Sequence, residues 1–315
     1  MKRVILLSAA VMLSALPVPE ASGGPLSVRL SVGGLFRYTW WKPPWTNGVR
    51  FTAPRTDFLA SVPYRIGRYD TSPAPLAGFS VKAEFLKTWY FSSTLLFGQY
   101  RSRSASAGPS FPAAVSRLSC NRDIKQYDFD AHLGYQVNRY FGAYLCLKTR
   151  AYDFTEGIND AVATGTGSLV YKASAKGEHI DVGPGFGISV TVPMPKYDNI
   201  CISFSCAGLV LATSSSYVFD YQYEVRNGAF AMPAGQFDKE SFYSWCGQGT
   251  LALGYTLEPV GISFMLGGRY EVLYYRHRRL TKGFLDYGGA YDHSYGITFM
   301  MAYAVTLTGP DPVKL

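Results

Sequence analysis

The sequence predicts an all-β protein, a transmembrane antiparallel up-and-down β-barrel of about ten strands. Three observations support this. Apolar residues alternate with small or polar residues over long stretches, short and long connections alternate along the chain, and charges are few. Of the 315 residues, 16% are aromatic and 17% are charged, whereas soluble globular proteins carry about 25% charged residues. This composition is unusual for a cytosolic enzyme.

The clearest alternation runs from Phe242 to Arg276. Between Tyr243 and Leu257, Tyr, Trp, Gly and Leu occupy the odd positions, and Ser, Cys, Gln, Thr, Ala and Gly the even ones. Glu258-Pro259 ends this run, and a second alternating run begins at Val260. A two-residue turn would place Leu257 opposite Val260, with both apolar stripes on one face of a hairpin.

The composition of the two faces predicts which one meets lipid. A soluble barrel would direct its apolar stripe into the core and expose Lys, Glu and Thr to water. Here the face opposite the apolar stripe consists mainly of small residues, with an occasional charge. We therefore predict that the apolar faces contact the bilayer and the small or polar faces line the lumen. Interfacial aromatic girdles are expected from Trp40, Trp41, Trp45, Trp89 and Tyr90.

The alternation continues through the rest of the chain. Predicted strands cover residues 26–40, 79–85, 89–97, 127–137, 141–150, 180–192, 200–210, 243–257, 260–274 and 291–306. Long loops are predicted at 41–75, 101–123, 155–177, 214–241 and 277–290, although alternating aromatic residues from Tyr217 to Tyr223 suggest that one strand continues beyond the bilayer. We expect short turns and both termini in the periplasm and long loops outside the cell. An even strand number is required, and weak strands leave eight or twelve open.

The first 23 residues resemble a secretory signal. A basic start, Met1-Lys2-Arg3, precedes a short apolar core and the small residues Ala21-Ser22-Gly23. No later segment contains about 18 uninterrupted apolar residues, which a membrane helix would need. We predict a cleaved signal peptide at 1–23, a single barrel domain at 24–307, a periplasmic tail at 308–315, and a bacterial outer-membrane location.

Charge and cysteine content add little about partners. The formal net charge of +8 is spread along the chain, so no nucleic-acid partner is expected. The five cysteines lack metal-binding or CxxC spacing. We interpret them as small residues within strands, and one disulfide remains an alternative.

The predicted inward faces carry balanced charges, six basic and six acidic, together with two histidines. Unpaired buried charges are costly, so these groups should form a salt-bridge network or line a hydrated solute path. A barrel of about ten strands is too narrow for a porin-sized channel. The predicted lumen-lining residues are Arg29, Arg37, Lys82, Glu84, Asp128, Asp130, His132, Lys148, Arg150, His179, Asp181, Arg269, Glu271 and Asp292.

Asp128, Asp130, His179 and Asp181 form a possible catalytic group near the outer mouth. A histidine beside carboxylates can activate water, but the same residues can belong to the salt-bridge network. Zinc, phosphate-loop and nucleophile-elbow motifs are absent from the sequence. We therefore predict no catalytic residues, metal or cofactor, and a monomeric, non-enzymatic protein.

The predicted role is envelope interaction, adhesion or structural support. A narrow channel for small solutes or ions is the alternative, and a surface hydrolase is a third. Besides outer-membrane lipid, the partners could include anionic lipopolysaccharide or host glycan and matrix at the basic loops, although those loops could simply be solvated. The loop residues concerned are Arg101, Arg103, Arg117, Arg122, Arg278, Arg279 and Lys282.

Ten predicted strands, an export signal and this length make the chain similar to small bacterial outer-membrane barrels, including OmpW-like and opacity-type proteins and the omptin proteases. Omptins carry an Asp-Asp and an Asp-His pair at surface-end strands. Asp128/Asp130 and His179/Asp181 have loosely similar places, but the flanking residues and order differ, so the activity is not carried over. Many such barrels end on an aromatic residue, whereas here the tail is polar and Tyr303 is the nearest substitute.

Overall fold

The structure is a computed structural model. It describes residues 27–42, 49–52, 63–66, 70–85, 88–111, 114–164, 167–225, 228–275 and 291–308. The predicted signal peptide, the polar tail and the loop at 277–290 lie outside the described residues. No helix within these ranges has the length and hydropathy needed to cross a bilayer.

Ten long strands form one sheet, and three short strands accompany them. The long strands are β1 (Ser27–Lys42), β5 (Ala74–Phe85), β6 (Trp89–Phe111), β7 (Ala114–Gln136), β8 (Phe141–Thr164), β9 (Gly167–Met194), β10 (Tyr197–Val225), β11 (Gly228–Leu257), β12 (Ile262–Tyr275) and β13 (Tyr291–Thr308). The short strands are β2 (Val49–Thr52), β3 (Pro63–Ile66) and β4 (Asp70–Thr71).

The ten long strands close into an antiparallel up-and-down barrel. Each pairs with its neighbours in the sheet, β6 also pairs with β7, and β1 pairs with β13. The closing register begins with Ser27 opposite Thr308 and ends with Lys42 opposite His293. β4 pairs with β6, and β2 pairs with β3 as a separate hairpin. The predicted fold class and strand number are confirmed.

Short and long connections lie at opposite ends of the barrel. The turn end carries the connections at 86–88, 137–140, 195–196 and 258–261, together with the start of β1 and the end of β13. The hairpin end carries the long extensions of β6 to β11. At one turn, the Asn138 side chain accepts hydrogen bonds from the backbone N–H groups of Tyr140 and Phe141, each at 2.8 Å.

Three predicted loops are wrong. Residues 101–123, 155–177 and 214–241 largely continue the barrel strands as paired hairpins, and the ladder between β10 and β11 extends to Val225 opposite Gly228. Their Gly, Ser and Thr content obscures the two-face pattern. Backbone hydrogen bonds form a ladder regardless of side chain, so pairing with a neighbour maintains the strands beyond the alternating segment.

The register of the β11–β12 hairpin also differs from the prediction. Leu257 pairs with Ile262 rather than Val260, because Glu258–Val260 forms a 3₁₀ turn. Gly261 closes this turn with a φ of 68°, a conformation that glycine adopts without steric cost. The shift is two residues, so both apolar stripes still lie on the same face.

The barrel has an apolar exterior. Leu251 is 58% exposed, and the other large exposed apolar side chains include Phe36, Phe97, Leu145, Phe186, Phe204, Ile297 and Phe299. Trp40 stacks on Tyr295 near the hairpin end, while Trp89 packs against Tyr135 at the turn end. Apolar side chains outside, with aromatic residues at both edges, are typical of a transmembrane barrel.

Two of the predicted girdle residues instead point into the lumen. Trp41 is buried and donates a hydrogen bond to Asp292. Tyr90 lies opposite Gly134 and packs over it. Both follow an outward-facing aromatic residue and therefore have the opposite orientation on the strand. Trp45 lies outside the described residues.

Candidate functional site

An ionic cluster fills the lumen toward the hairpin end. Its nine charged members are Arg37, Asp128, Asp130, Lys148, Arg150, Asp181, Arg269, Glu271 and Asp292. The side chains of Lys148, Arg150 and Asp181 are 0%, 1% and 0% exposed. Water therefore does not reach the centre of the cluster.

Local strand pairing builds one side of the cluster. The β7–β8 register places Asp128 opposite Arg150 and Asp130 opposite Lys148. The β8–β9 register places Arg150 opposite Asp181. Alternation directs all of these side chains inward, and opposite charges at facing positions attract one another.

Lys148 joins three carboxylates. Its Nζ lies 2.8 Å from Asp128 Oδ1, 3.2 Å from Asp130 Oδ1 and 3.0 Å from Glu271 Oε2. Lys148 donates hydrogen bonds to Asp128 and Asp130, and Glu271 adds a third ionic contact. Glu271 belongs to β12, so this contact spans the lumen.

Arg150 likewise contacts three carboxylates, from three other strands. Its guanidinium lies 3.2 Å from Asp181 Oδ2, 3.1 Å from Glu271 Oε1 and 2.8 Å from Asp292 Oδ2. Its Nη2 also donates to the Tyr275 hydroxyl at 3.0 Å. The planar, multi-donor group is suited to bridging several strands in this way.

Two further arginines extend the network. Arg269 Nη2 lies 2.8 Å from Asp130 Oδ2 and 3.1 Å from Glu271 Oε2, and it donates to Gln248 Oε1 at 2.6 Å. Arg37 Nη1 lies 3.5 Å from an oxygen of Asp128. The cluster thus connects β1, β7, β8, β9, β12 and β13.

An apolar layer adjoins the ionic cluster inside the barrel. Its inward side chains pack into a single group: Tyr144, Cys146, Ala207, Leu209, Leu211, Cys246, Leu273 and Tyr275. Cys146 and Cys246 carry free thiols, as do Cys201 and Cys206. Together the apolar layer and the ionic cluster occlude the lumen at this level.

The lumen is more open below the cluster, toward the turn end. Many of its inward residues are small and carry hydroxyl groups that are only partly buried: Ser31, Ser80, Ser92, Thr94, Ser189, Thr191, Ser203, Ser205, Thr250 and Ser263. This half of the lumen is a hydroxyl-lined vestibule that ends at the ionic cluster.

Some predicted lumen residues lie outside the cluster. Lys82 and Glu84 form a separate, half-exposed pair at 2.6 Å in the turn-end half, and Arg29 is exposed at that end. The His132 ring packs against Tyr144 with centroids 4.8 Å apart. These residues share the inward orientation of the cluster but not its contacts.

His179 lies at the hairpin-end margin of the cluster. Its Nε2 is 3.2 Å from Asp181 Oδ1, and its Nδ1 is 2.5 Å from Ser215 Oγ. Thr213 Oγ1 donates to the same Asp181 oxygen at 2.7 Å. Asp128 and Asp130 instead contact Lys148, so of the four predicted residues only Asp181 lies beside His179.

Sequence reasoning missed several side chains of the site, including Trp41, Thr213, Ser215, Ser244 and Tyr275. The predicted β10 strand ended near Val210, although the inward alternation continues through Thr213 and Ser215. Extending the period-2 pattern by five residues would have identified both. No group of three metal-binding side chains is present in the described parts of the chain.

Two arginines that were predicted to contact anionic partners at the hairpin end differ in their exposure. Arg101 is exposed and lies 3.5 Å from Asp123. Arg122, in contrast, is buried on the inward face and packs over the Phe154 ring. Arg122 is therefore not a surface contact, while Arg278, Arg279 and Lys282 lie outside the described residues.

Comparison with known proteins supports no closer assignment. No family model and no curated protein matches the chain. Among solved structures, it resembles the outer membrane protease OmpT from Escherichia coli, with 10% identity, 92% of this chain and 99% of that chain covered, and a TM-score of 0.40. The translocator domain of the autotransporter NalP from Neisseria meningitidis has 10% identity, coverage of 96% and 95%, and a TM-score of 0.41.

A third similar structure is the CymD monoaromatic hydrocarbon channel, with 9% identity, 91% of this chain and 90% of that chain covered, and a TM-score of 0.31.

Proposed function

We propose that the chain is a bacterial outer-membrane barrel with a lumen closed to solutes, acting through its hairpin end in envelope interaction or adhesion. The complete burial of Lys148 beside three carboxylates supports the closed state. A conducting path would need water at this level, and the adjoining apolar layer also obstructs it. The closed lumen favours this role over the narrow-channel alternative.

The asymmetry of the barrel supports the proposed orientation. Outer-membrane barrels combine short periplasmic turns with long extracellular connections. Both described terminal strands reach the turn end, where Ser27 lies opposite Thr308. We propose that this end faces the periplasm and the paired hairpins project from the cell. Exposed Arg101 would be available to anionic lipopolysaccharide or glycan, by charge attraction.

Planar-bilayer recording tests the closed lumen. Wild-type protein should insert without unitary current steps. A double variant, Arg150→Ala with Glu271→Ala, removes one charge of each sign from the cluster and should produce steps. The matched control, Lys82→Ala with Glu84→Ala, removes an ion pair from the wider vestibule and should stay silent. Regular steps from the wild type would support the narrow channel instead.

Labelling of an introduced cysteine tests the orientation. In intact cells, an impermeant maleimide should label Arg103→Cys, an exposed position toward the hairpin end, and not Asn138→Cys, in a short turn, relative to the wild-type background. Labelling only at position 138 would show that the topology is inverted. Both substitutions lie outside the ionic cluster, so the barrel should remain folded.

A further inference from the structure

Strand pairing places a serine, a histidine and an aspartate next to one another at the lumen wall. The β9–β10 register sets Ser215 opposite His179 and Thr213 opposite Asp181. Alternation directs these four side chains inward. The arrangement is therefore set by two adjacent strands, whose backbone ladders hold it.

The three side chains lie next to one another in the order of a catalytic triad. Ser215 Oγ is 2.5 Å from His179 Nδ1, and His179 Nε2 is 3.2 Å from Asp181 Oδ1. An ionised Asp181 only accepts protons, so it favours the imidazole tautomer with the proton on Nε2. Nδ1 then presents a lone pair to the Ser215 hydroxyl, as a general base requires.

Asp181, the orienting acid, is more deeply buried than His179, the base, and Ser215, the nucleophile. Asp181 is fully buried, fixed by Thr213 and Arg150. The His179 side chain retains 11% exposure and Ser215 retains 9%. The hydroxyl and the imidazole are thus less completely buried than the carboxylate.

The surrounding structure holds the imidazole and offers a further polar group. The His179 ring packs between Tyr152 and Tyr275, with centroid distances of 5.8 Å and 5.7 Å. The Tyr152 hydroxyl is buried without a hydrogen-bond partner in the described residues. The β10–β11 ladder also shifts register between Ser215 and Tyr217, and such bulges often reorient side chains next to active sites.

We propose that Ser215, His179 and Asp181 form a hydrolytic triad that cleaves an uncharged ester with a slender acyl group. The rings of Tyr152 and Tyr275 border His179, and such aromatic surroundings suit an apolar acyl chain. The adjacent cluster contains five carboxylates and four basic groups, and bringing another charge there would incur a desolvation cost. This hydrolytic activity goes beyond the proposed closed lumen. The two proposals are tested separately, so one can be wrong while the other holds.

The reaction is a two-step acyl transfer to water. Ser215 Oγ attacks the ester carbonyl carbon while His179 Nδ1 takes the hydroxyl proton. The C–O bond to the alcohol breaks, and His179 returns that proton to the departing oxygen, leaving an acyl-serine. Water then attacks the acyl carbon, gives one proton to His179, and Ser215 leaves with that proton. The products are a carboxylic acid and an alcohol, and Asp181 stabilises the imidazolium between transfers.

Active-site labelling and hydrolysis test the triad. Purified, detergent-folded protein would be treated with an alkyl fluorophosphonate, and the modified peptide located by mass spectrometry. Hydrolysis of p-nitrophenyl acetate and butyrate would be followed in parallel. We expect the label on Ser215, and Ser215→Ala to reduce hydrolysis to the uncatalysed background. His179→Gln should lower the rate by about 100-fold or more, the usual contribution of a general base.

Ser205→Ala is the matched control. Ser205 lies on the same strand and the same inward face, but its β9 partner is Ser189, not a histidine. This variant should keep the labelling and rate of the wild type. Heat-modifiable migration in a gel would verify that each variant is folded. Absence of wild-type labelling and hydrolysis, labelling at another residue, or full activity in folded Ser215→Ala would overturn the proposal.

Discussion

Arg150 and Asp292 are 142 residues apart in sequence, yet Arg150 Nη2 donates a 2.8 Å hydrogen bond to Asp292 Oδ2 inside the barrel. Trp41 Nε1 donates to the other oxygen of the same carboxylate at 2.7 Å. Asp292 thus joins an arginine of β8 to a tryptophan of β1 across the lumen. The ionic cluster therefore acts as a crosslink between distant strands, which gives its removal predictable consequences for stability.

Lys148→Met should destabilise the barrel strongly. The variant nearly preserves side-chain volume but leaves Asp128, Asp130 and Glu271 without their shared counter-charge. Removing one partner from a buried ion pair typically costs about 3–5 kcal/mol. Urea unfolding of the refolded protein in detergent would measure this loss.

Lys82→Met is the control for this measurement. Lys82 pairs with Glu84 at 2.6 Å, but both side chains are well exposed. Exposed ion pairs contribute about 0–1 kcal/mol, so the urea midpoint of unfolding should stay close to that of the wild type. Equal losses in the two variants would contradict the view that the cluster is dry.

Leu251→Arg should test whether the outer face meets lipid. Leu251 is exposed near the middle of the apolar belt. A lipid-facing Arg at the bilayer midplane costs about 2–4 kcal/mol, falling to about 0–1 kcal/mol near the interface. Folding into lipid vesicles, followed by urea titration, would measure the difference from wild type.

Ser241→Arg is the matched control, because it introduces the same side chain on the outward face of the same strand. Ser241 lies on the same strand and outward face, beyond Tyr243 and toward the hairpin end. Arginine should be tolerated there because the site would be in water. If both arginine variants have wild-type stability in vesicles, Leu251 does not face the hydrocarbon.

Gly187→Ala should destabilise the lumen wall. Gly187 pairs with Tyr144, and a Cβ at this position would lie 2.3 Å from the Tyr144 ring. The ring would have to leave its place in the apolar layer, and overpacking of this kind costs about 1–3 kcal/mol. Unfolding midpoints of Gly187→Ala and Gly208→Ala would be compared. An added Cβ at Gly208 meets no atom within 4 Å, so that variant should match the wild type.

Asp153→Asn should stabilise the hairpin end at neutral pH. Asp153 lies beyond the apolar belt, opposite Glu178. Partial burial and then the charge of Glu178 raise the pKa of the Asp153 carboxyl above its usual value. A raised carboxyl pKa means that the folded state binds the proton more tightly. Stability therefore falls as pH rises through the raised pKa, and the asparagine removes this loss.

Unfolding midpoints measured from acidic to neutral pH would check this. The gain in Asp153→Asn should be present at neutral pH and shrink on acidification. The comparison is Asp123→Asn, which removes a carboxylate that lies 3.5 Å from Arg101 and should give no gain. A pH-independent effect of Asp153→Asn would contradict the electrostatic explanation.

The sequence by itself determined the barrel, the ten membrane-crossing segments and the face of each predicted strand. Alternation has a period of two, so composition alone separates the apolar stripe of β11 and β12 from their small residues. The turn near 137–140 then positions β8 beside β7, and from it the facing pair Asp130–Lys148 could be derived.

Only the tertiary structure decided which charges meet across the lumen. Glu271 joins Lys148 and Asp292 joins Arg150 because a closed narrow ring brings non-adjacent strands within side-chain reach. It also set the strand ends: ladder bonds carry β6 to β11 beyond their amphipathic segments, and this places Ser215 opposite His179. A one-dimensional pattern specifies the orientation of each side chain, whereas distances across the barrel depend on its closure.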